Sequence, residues 1–336
     1  MQRSRTMSSR YVPKVSRRSF LAASAGLAAS GLGLPRVSYG LQPRGLASII
    51  DLTLCDGCPG KDMPACVAAC RNLYQKTVPD PVDPIPRLYP RGMIEDWSKK
   101  KQIYDRLTPY NFIFVETAEV EYRGNKSTLF IPRRCMHCDN PACATICPFA
   151  ANHKMKNGAV VINDNLCVGG AKCRAVCPWA IPQRQSGVGV YLYVMPTLAG
   201  NGVMYKCNLC HDLLMEDKIP ACMDACPAGA MVIGPREEIL ADARGRAEHI
   251  NGFIYGIGEN GGTSTIYISP VPFDIIDKAI PQGPGLPHFK PAKRRMAEAS
   301  VLETLVMGSP LVGIAAGVAG AFSILSRRKG NEGGTE

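Results

Sequence analysis

The clearest pattern in the chain is an alternation of apolar and polar residues over 111–122, which stops at 123–126 and resumes over 127–131. Alternation with a period of two buries one face of a β-strand, and the interruption contains a glycine that suits a tight turn. The pattern predicts a β-hairpin over residues 111–131 that leads directly into Cys135.

Shorter patterns predict the elements around the hairpin. Apolar residues at 159–162 and 231–234 predict two short strands, each close to a group of cysteines. Pro235 opens a predicted helix over 236–248, because proline suits the first turn of a helix. Prolines and glycines are frequent in residues 269–303, which we interpret as a tether.

The first 40 residues have the order of a targeting signal. Basic residues lead to Arg17-Arg18, a short apolar run follows over 22–34, and small residues precede Gly40. This order resembles a twin-arginine signal peptide over residues 1–40, with cleavage after Gly40, and it predicts export of a folded protein to the periplasm.

A second apolar run lies near the end of the chain. Residues 304–326 contain no charged side chain and are long enough to span a bilayer. Their small residues suit packing against another membrane helix, and Arg327-Arg328-Lys329 follow at once. We predict a transmembrane helix over 304–326 and a cytoplasmic tail over 327–336, with a buried core helix as the alternative interpretation of the apolar run.

The net charge does not point to nucleic acid. The formal charge of the chain is +11, but residues 1–40 contribute seven Arg and Lys side chains and no acid. No basic stretch interleaved with aromatic residues occurs elsewhere. The composition therefore predicts no nucleic-acid partner.

All 15 cysteines fall in four groups, at 55–70, 135–147, 167–177 and 207–226. A disulfide framework is typical of short exported chains, and the count here is odd. Zinc sites use paired Cys-x2-Cys units, whereas here the later cysteines of each group are spaced differently and the last one is in most groups followed by proline. The spacing favours iron–sulfur clusters, with zinc as the open alternative.

The stretch 135–178 shows the pattern of bacterial ferredoxins, in which three close cysteines ligate one cluster and a fourth, before proline, ligates its neighbour. Two such runs interlock to form a two-cluster module. The same cross-over rule pairs the first and fourth groups around this central module. It gives three complete ligand sets: Cys55, Cys58, Cys66 and Cys226; Cys70, Cys207, Cys210 and Cys222; Cys135, Cys138, Cys143 and Cys177.

The last set is incomplete, because Gly170 stands where the fourth ligand to accompany Cys167, Cys173 and Cys147 is expected. Glycine offers no side chain, so an iron at that corner would be left to water or hydroxide. We predict three 4Fe-4S clusters and one 3Fe-4S cluster, or a fourth 4Fe-4S cluster with a carboxylate or histidine ligand. His137 and His211 are expected beside the clusters or at the surface.

The sequence resembles the iron–sulfur subunits of membrane-bound hydrogenase-2-type uptake hydrogenases. The motifs Arg134-Cys135-Met136-His137-Cys138 and Gly234-Pro235-Arg236-Glu237-Glu238 are similar to those of this family, and so is the order of leader, four motifs and membrane helix. The wider class, the four-cluster subunits of molybdopterin oxidoreductases, shares the cysteine pattern.

The expected fold is α+β. It contains two interlocked ferredoxin-like double-cluster modules with loop insertions in a body over 41–268, plus the C-terminal transmembrane helix. The outer module combines 48–70 with 203–235, and the central module covers 130–182.

The resemblance implies a non-catalytic subunit on the periplasmic face of the membrane. Such a subunit passes electrons between a periplasmic catalytic subunit, preferably a hydrogenase, and an integral membrane subunit that reacts with quinone. The alternative partner is a molybdopterin oxidoreductase acting on formate, polysulfide, thiosulfate or nitrite. A zinc-stabilised scaffold that transfers no electrons is the second alternative.

Overall fold

Short helices and strands succeed one another along the chain. The computed structural model describes residues 45–87, 93–197 and 201–297. The strands within these residues are β1 (Leu46–Asp51), β2 (Phe114–Tyr122), β3 (Asn125–Arg133), β4 (Asn152–Lys154), β5 (Val160–Ile162), β6 (Gln183–Gln185), β7 (Val203–Tyr205), β8 (Met231–Pro235), β9 (Phe253–Tyr255) and β10 (Thr265–Ser269). The helices are α1 (Ala65–Tyr74), α2 (Ala142–Thr145), α3 (Lys172–Val176), α4 (Tyr191–Val194), α5 (His211–Met215), α6 (Ala221–Asp224), α7 (Arg236–His249) and α8 (Phe273–Ala279).

A four-stranded sheet joins distant parts of the sequence in the order β8-β1-β10-β9. Strand β1 pairs antiparallel with β8 and parallel with β10. Both β1 and β10 are buried along almost their whole length, as expected for inner strands that are covered on both faces. Helix α7 covers one face, where Ile49, Leu240 and Ile266 share an apolar cluster. On the other face Ile50 belongs to the main core, which also contains cysteines.

The predicted hairpin is confirmed. Strands β2 and β3 pair antiparallel, and Tyr122 and Asn125 form the last pair before the turn. The two turn residues, Arg123 and Gly124, both have positive φ angles, of 52° and 78°. This is the geometry that a two-residue turn needs to match the twist of its strands. The hairpin ends at Arg133, two residues before Cys135.

The other predicted elements next to the cysteines are also confirmed. Strand β5 falls within the apolar run 159–162, and β8 covers 231–234 with one further residue. Helix α7 begins after Pro235 and extends one residue beyond its predicted end. Local periodicity and proline placement were sufficient to locate these elements along the chain.

The interpretation of residues 269–303 as a tether is wrong for the part that the structure describes. Residues 273–279 form α8, in which Ile276 is fully buried. Phe289 is also buried, and its ring packs edge-on against Tyr255 and Tyr267, with centroids 5.1 and 5.2 Å apart. Apolar residues at helical spacing therefore fold this segment onto the body despite its prolines and glycines.

The predictions for the two ends of the chain lie outside the described residues. These are the signal peptide over 1–40, the transmembrane helix over 304–326 and the tail over 327–336. Among residues 45–87, 93–197 and 201–297, no helix is long and apolar enough to cross a membrane.

Candidate functional site

The loops of the four cysteine motifs share one backbone feature; motif one is 55–70, motif two 135–147, motif three 167–177 and motif four 207–226. The second residue after the first cysteine of each loop has a positive φ angle, which turns the chain back on itself. These residues are Gly57 (71°), His137 (48°), Gly169 (70°) and Leu209 (59°). Motif three therefore keeps the shared turn even though Gly170 replaces its second cysteine.

Each loop is followed by a helix whose second residue is the cysteine at the third ligand position of the ferredoxin pattern. These cysteines are Cys66 in α1, Cys143 in α2, Cys173 in α3 and Cys222 in α6. The fourth cysteine comes four residues later, so a helix or helical turn separates it from the loop. In motifs two, three and four a proline follows and the helix has already ended, because proline disfavours helical geometry in the residue before it.

Motif one departs from this arrangement. Arg71 follows Cys70 in place of proline, and α1 continues to Tyr74. The buried Arg71 guanidinium donates hydrogen bonds to the carbonyl oxygens of Lys101 (2.5 Å) and Ile103 (3.2 Å). The longer helix thereby anchors part of the insertion that follows motif one.

The first group of thiols encloses a cavity. Cys55, Cys58 and Cys66 line it together with Cys226 from the fourth motif. Val115 and Pro132 of the hairpin form part of its wall. Burial raises the pKa of Cys55 to about 11, a shift opposed by the Gly57 N–H and increased by Cys226 and Cys58.

The second group brings motif one to motif four again. Burial raises the pKa of Cys70, and the charges of Cys207, Cys222 and Cys210 raise it further. The Leu209 N–H donates to Cys207 Sγ at 3.4 Å. The two outer motifs therefore exchange their last cysteines, Cys70 and Cys226, in the structure.

The third group combines motifs two and three. Burial raises the pKa of Cys177, and its neighbours Cys138, Cys143 and Cys135 raise it further. Asn260 Nδ2 donates to Cys138 Sγ at 3.3 Å. This contact ties the group to the segment that precedes β10.

The fourth group contains three cysteines. Burial raises the pKa of Cys167, and the charge of Cys147 raises it further. Burial also raises the pKa of Cys173, to about 12, with a smaller contribution from the charge of Cys167. The Met204 N–H donates to Cys167 Sγ at 3.3 Å. Gly170 is exposed, and a Cβ atom added there would meet no atom within 4 Å. The predicted absence of a cysteine ligand thus coincides with an open position.

The chemistry of these groups fits iron–sulfur clusters. Each group offers three or four thiols, and in every group burial raises the pKa of at least two of them. A cationic iron core supplies the charge that deprotonates such thiols. Backbone N–H groups donate to several of the sulfurs, as they do around clusters whose potentials they adjust. In the part of the chain that the structure describes, no three His, Cys, Asp or Glu side chains form a site for a single metal ion.

Neither predicted histidine joins a thiol group as a member. His137 is fully buried, accepts a hydrogen bond from the Val160 N–H at Nδ1 (3.0 Å) and places Nε2 3.5 Å from Cys207 Sγ. His211 Nδ1 contacts Asn157 Nδ2 at 3.0 Å. His137 therefore lies beside a candidate ligand, in agreement with its predicted position next to a cluster.

The sequence did not reveal two buried cations beside the cysteines. Arg134 is 2% exposed and Lys206 is 7% exposed. Lys206 Nζ donates to the carbonyl oxygens of Val160 and Cys207, and its charge acts on Cys135, Cys143 and Cys173. Arg134 directly precedes Cys135, and Lys206 directly precedes Cys207, so each cation comes just before the first cysteine of a motif. This position is the one local signal that could have indicated the two buried cations.

Comparison with known proteins agrees with this arrangement. Two regions, 54–151 and 126–236, match the family description "4Fe-4S dicluster domain". The hydrogenase-2 operon protein HybA of Escherichia coli O157:H7 is 30% identical over 305 residues, which cover 78% of this chain and 83% of that protein. The chain belongs to the family of ferredoxin-type iron–sulfur subunits that includes HybA.

Other members of this wider class are similar over shorter stretches. The probable anaerobic dimethyl sulfoxide reductase protein YnfG of Escherichia coli K12 is 35% identical over 35% of this chain and 51% of its own length. The B subunit of anaerobic dimethyl sulfoxide reductase from the same strain is 27% identical over 56% of this chain and 73% of its own length. The family relationship and the thiol groups together identify an iron–sulfur electron-transfer subunit with several 4Fe-4S clusters.

Proposed function

We propose that the chain holds four clusters in a row and conducts electrons along them without catalysis of its own. The ligands are the four groups of thiols described above, with 4Fe-4S clusters in the first three groups and a 3Fe-4S cluster at Cys167, Cys173 and Cys147. When bound, these clusters supply reversible one-electron transfer. The residues of the chain hold them in fixed order.

One observation carries this proposal: each thiol group lies close enough to the next for the charge of a cysteine in one to act on a cysteine in the other. The charge of Cys222 acts on Cys66, which joins the first group to the second. The charge of Cys207 acts on Cys135, which joins the second to the third, and that of Cys143 acts on Cys173, which joins the third to the fourth. Such a succession is what electron transfer over a long distance requires.

We further propose that the two ends of this row serve two partners. One is a periplasmic catalytic subunit, for which we favour a hydrogenase because the similarity to HybA covers most of both chains. The other is an integral membrane subunit that reacts with quinone. Residues 1–40 would direct export by the twin-arginine route, and 304–326 would anchor the protein in the membrane.

The similarity to the two dimethyl sulfoxide reductase proteins supports the alternative, a molybdopterin oxidoreductase as catalytic partner. Metal analysis of the complex isolated from washed membranes separates the two. Nickel in proportion to this chain supports the hydrogenase, whereas molybdenum supports the alternative. Recovery of the chain in the soluble fraction without either metal would contradict both partner assignments.

The cluster assignment is tested on the anaerobically purified protein. We expect a brown protein whose iron and sulfide match three four-iron clusters and one three-iron cluster. The air-oxidised sample should show the near-isotropic electron paramagnetic resonance (EPR) signal of a 3Fe-4S centre, which disappears on mild reduction. A colourless protein loaded with zinc would instead support the scaffold alternative.

A further inference from the structure

The Arg134 guanidinium is buried with an incomplete set of partners. Its Nη2 donates to Ser48 Oγ at 2.5 Å, and Ser48 lies on β1. Nε and Nη1 are buried without a hydrogen-bond partner among the described residues. Leaving such donors unsatisfied in the interior is costly, so their placement calls for a negatively charged neighbour.

The charges that act on Arg134 come from the second thiol group. Burial disfavours the charged guanidinium, and negative charge at Cys207 and Cys222 stabilises it. Both residues belong to the set completed by Cys70 and Cys210. A four-iron cluster held by four thiolates carries net negative charge and gains one more negative charge on reduction. The guanidinium therefore stabilises the reduced form more than the oxidised form.

His137 also contacts the sulfur of Cys207. Its Nδ1 accepts the hydrogen bond from the Val160 N–H, so the neutral ring carries its proton on Nε2. That nitrogen lies 3.5 Å from Cys207 Sγ and donates toward it. Hydrogen bonds to cluster sulfurs are one of the means by which proteins set cluster potentials.

Strand β10 and the residue before it, Ser264, fix the position of this donor pair, Arg134 and His137. The Thr265 hydroxyl donates to the Cys135 carbonyl at 3.1 Å, and the Ser264 N–H donates to the His137 carbonyl at 3.0 Å. Since Ser48 holds Arg134 from β1, the two parallel inner strands together orient both donors. They are supplied by the loop of motif two, although the sulfur they face belongs to motif four.

The first thiol group has a different environment. The Cys55 and Cys58 thiols are only partly buried, and the Asp56 carboxylate adds negative charge next to Cys55. Negative charge and solvent access both affect the reduction potential of a cluster, and the Asp56 carboxylate disfavours reduction of the cluster at the first thiol group.

We propose that Arg134 and His137 are positioning residues that raise the reduction potential of the cluster at Cys70, Cys207, Cys210 and Cys222 above that of the cluster at Cys55, Cys58, Cys66 and Cys226. The proposal rests on the cluster assignment above. It makes the second cluster the preferred site of the electron within the outer pair of motifs.

The test is an EPR-monitored redox titration of the full chain in its isolated complex. The signal of the second cluster is assigned by its loss in Cys210→Ala. For Arg134→Gln we expect the ratio of reduced to oxidised second cluster at a fixed potential to fall at least about tenfold, which is about 59 mV for a one-electron couple. The first cluster should keep its midpoint. Arg134→Lys should restore most of the shift, because it returns the positive charge.

Matched controls separate a local effect from net charge. Arg244→Gln removes an exposed Arg from α7, and His153→Leu removes an exposed His from β4; neither should shift the second cluster. If the Arg134→Gln protein does not accumulate, the same titration is made on His137→Leu. This variant should lower the midpoint potential of the second cluster, by a smaller amount than expected for Arg134→Gln. Full iron content with an unchanged second midpoint in these variants overturns the inference but leaves the proposed function intact. Absence of four-iron clusters in the unaltered protein overturns both.

Discussion

The first and third cysteine motifs both depart from the ferredoxin pattern, but at different places. Motif one keeps all four cysteines and changes the residue after the last one, Arg71, so α1 grows by a turn and anchors an insertion. Motif three keeps the turn at Gly169 and the following helix α3, and it loses the cysteine at Gly170. The first departure changes structure around a complete set of thiols, whereas the second changes the donor set and keeps the turn and the helix.

The largest expected effect comes from restoring the missing thiol. Gly170→Cys places a side chain in open space at a position without a positive φ angle, so the backbone should accept it. We expect iron to rise to four full 4Fe-4S clusters and the oxidised EPR signal to disappear. Gly170→Ala is the control and should keep the signal. Persistence of the signal in a fully loaded Gly170→Cys protein would mean that the added thiol does not reach the cluster.

Removal of the helix anchor in motif one should affect stability without changing the clusters. Arg71→Ala removes the hydrogen bonds to the carbonyl oxygens of Lys101 and Ile103 and leaves, within the described chain, only Gln75 Nε2 donating to that of Lys101, at 3.0 Å. We expect a loss of about 3 kcal/mol in the free energy of unfolding, since hydrogen bonds to charged groups contribute about 1.5–3 kcal/mol each. Thermal melts compared with Arg244→Ala measure it. A melting temperature equal to that of the control would show that the anchor contributes nothing.

The sequence predicted those features whose cause is local. Alternation predicted the hairpin, and the cysteine spacing predicted the thiol groups that the structure brings together. The pairing of β1 with β10 could not be predicted in the same way, because Ser48 and Thr265 lie more than two hundred residues apart and each strand is a short apolar run. The burial of Arg134 depends on that sheet, so its position beside the second thiol group could not be predicted either.

The two loops can also be compared at their equivalent glycines. A Cβ atom at Gly169 would lie 2.6 Å from the Gly202 carbonyl oxygen, which belongs to the backbone and cannot rotate away. Gly169→Ala should therefore combine left-handed strain with overpacking, at a cost of about 2–4 kcal/mol. The fourth cluster should be the first to lose iron on mild heating. Retention of all four clusters up to the melting temperature of the unaltered protein would contradict this prediction.

The corresponding change in motif one should cost less. A Cβ atom at Gly57 would lie 2.4 Å from Phe130 Cδ1, but this neighbour is a side chain of the hairpin that can shift its ring. We expect Gly57→Ala to lower the free energy of unfolding by about 1–3 kcal/mol, from left-handed strain and moderate crowding.

Gly60 in the same loop separates the two causes, because its φ angle is +79° and an added Cβ atom would meet nothing within 4 Å. Gly60→Ala should therefore show the strain alone, about 1–2 kcal/mol, so the difference between the two variants measures the contact with Phe130. The measurement is chemical denaturation of the loaded protein, followed by the cluster absorbance. If Gly57→Ala and Gly60→Ala unfold at the same denaturant concentration, the hairpin does not support the first loop.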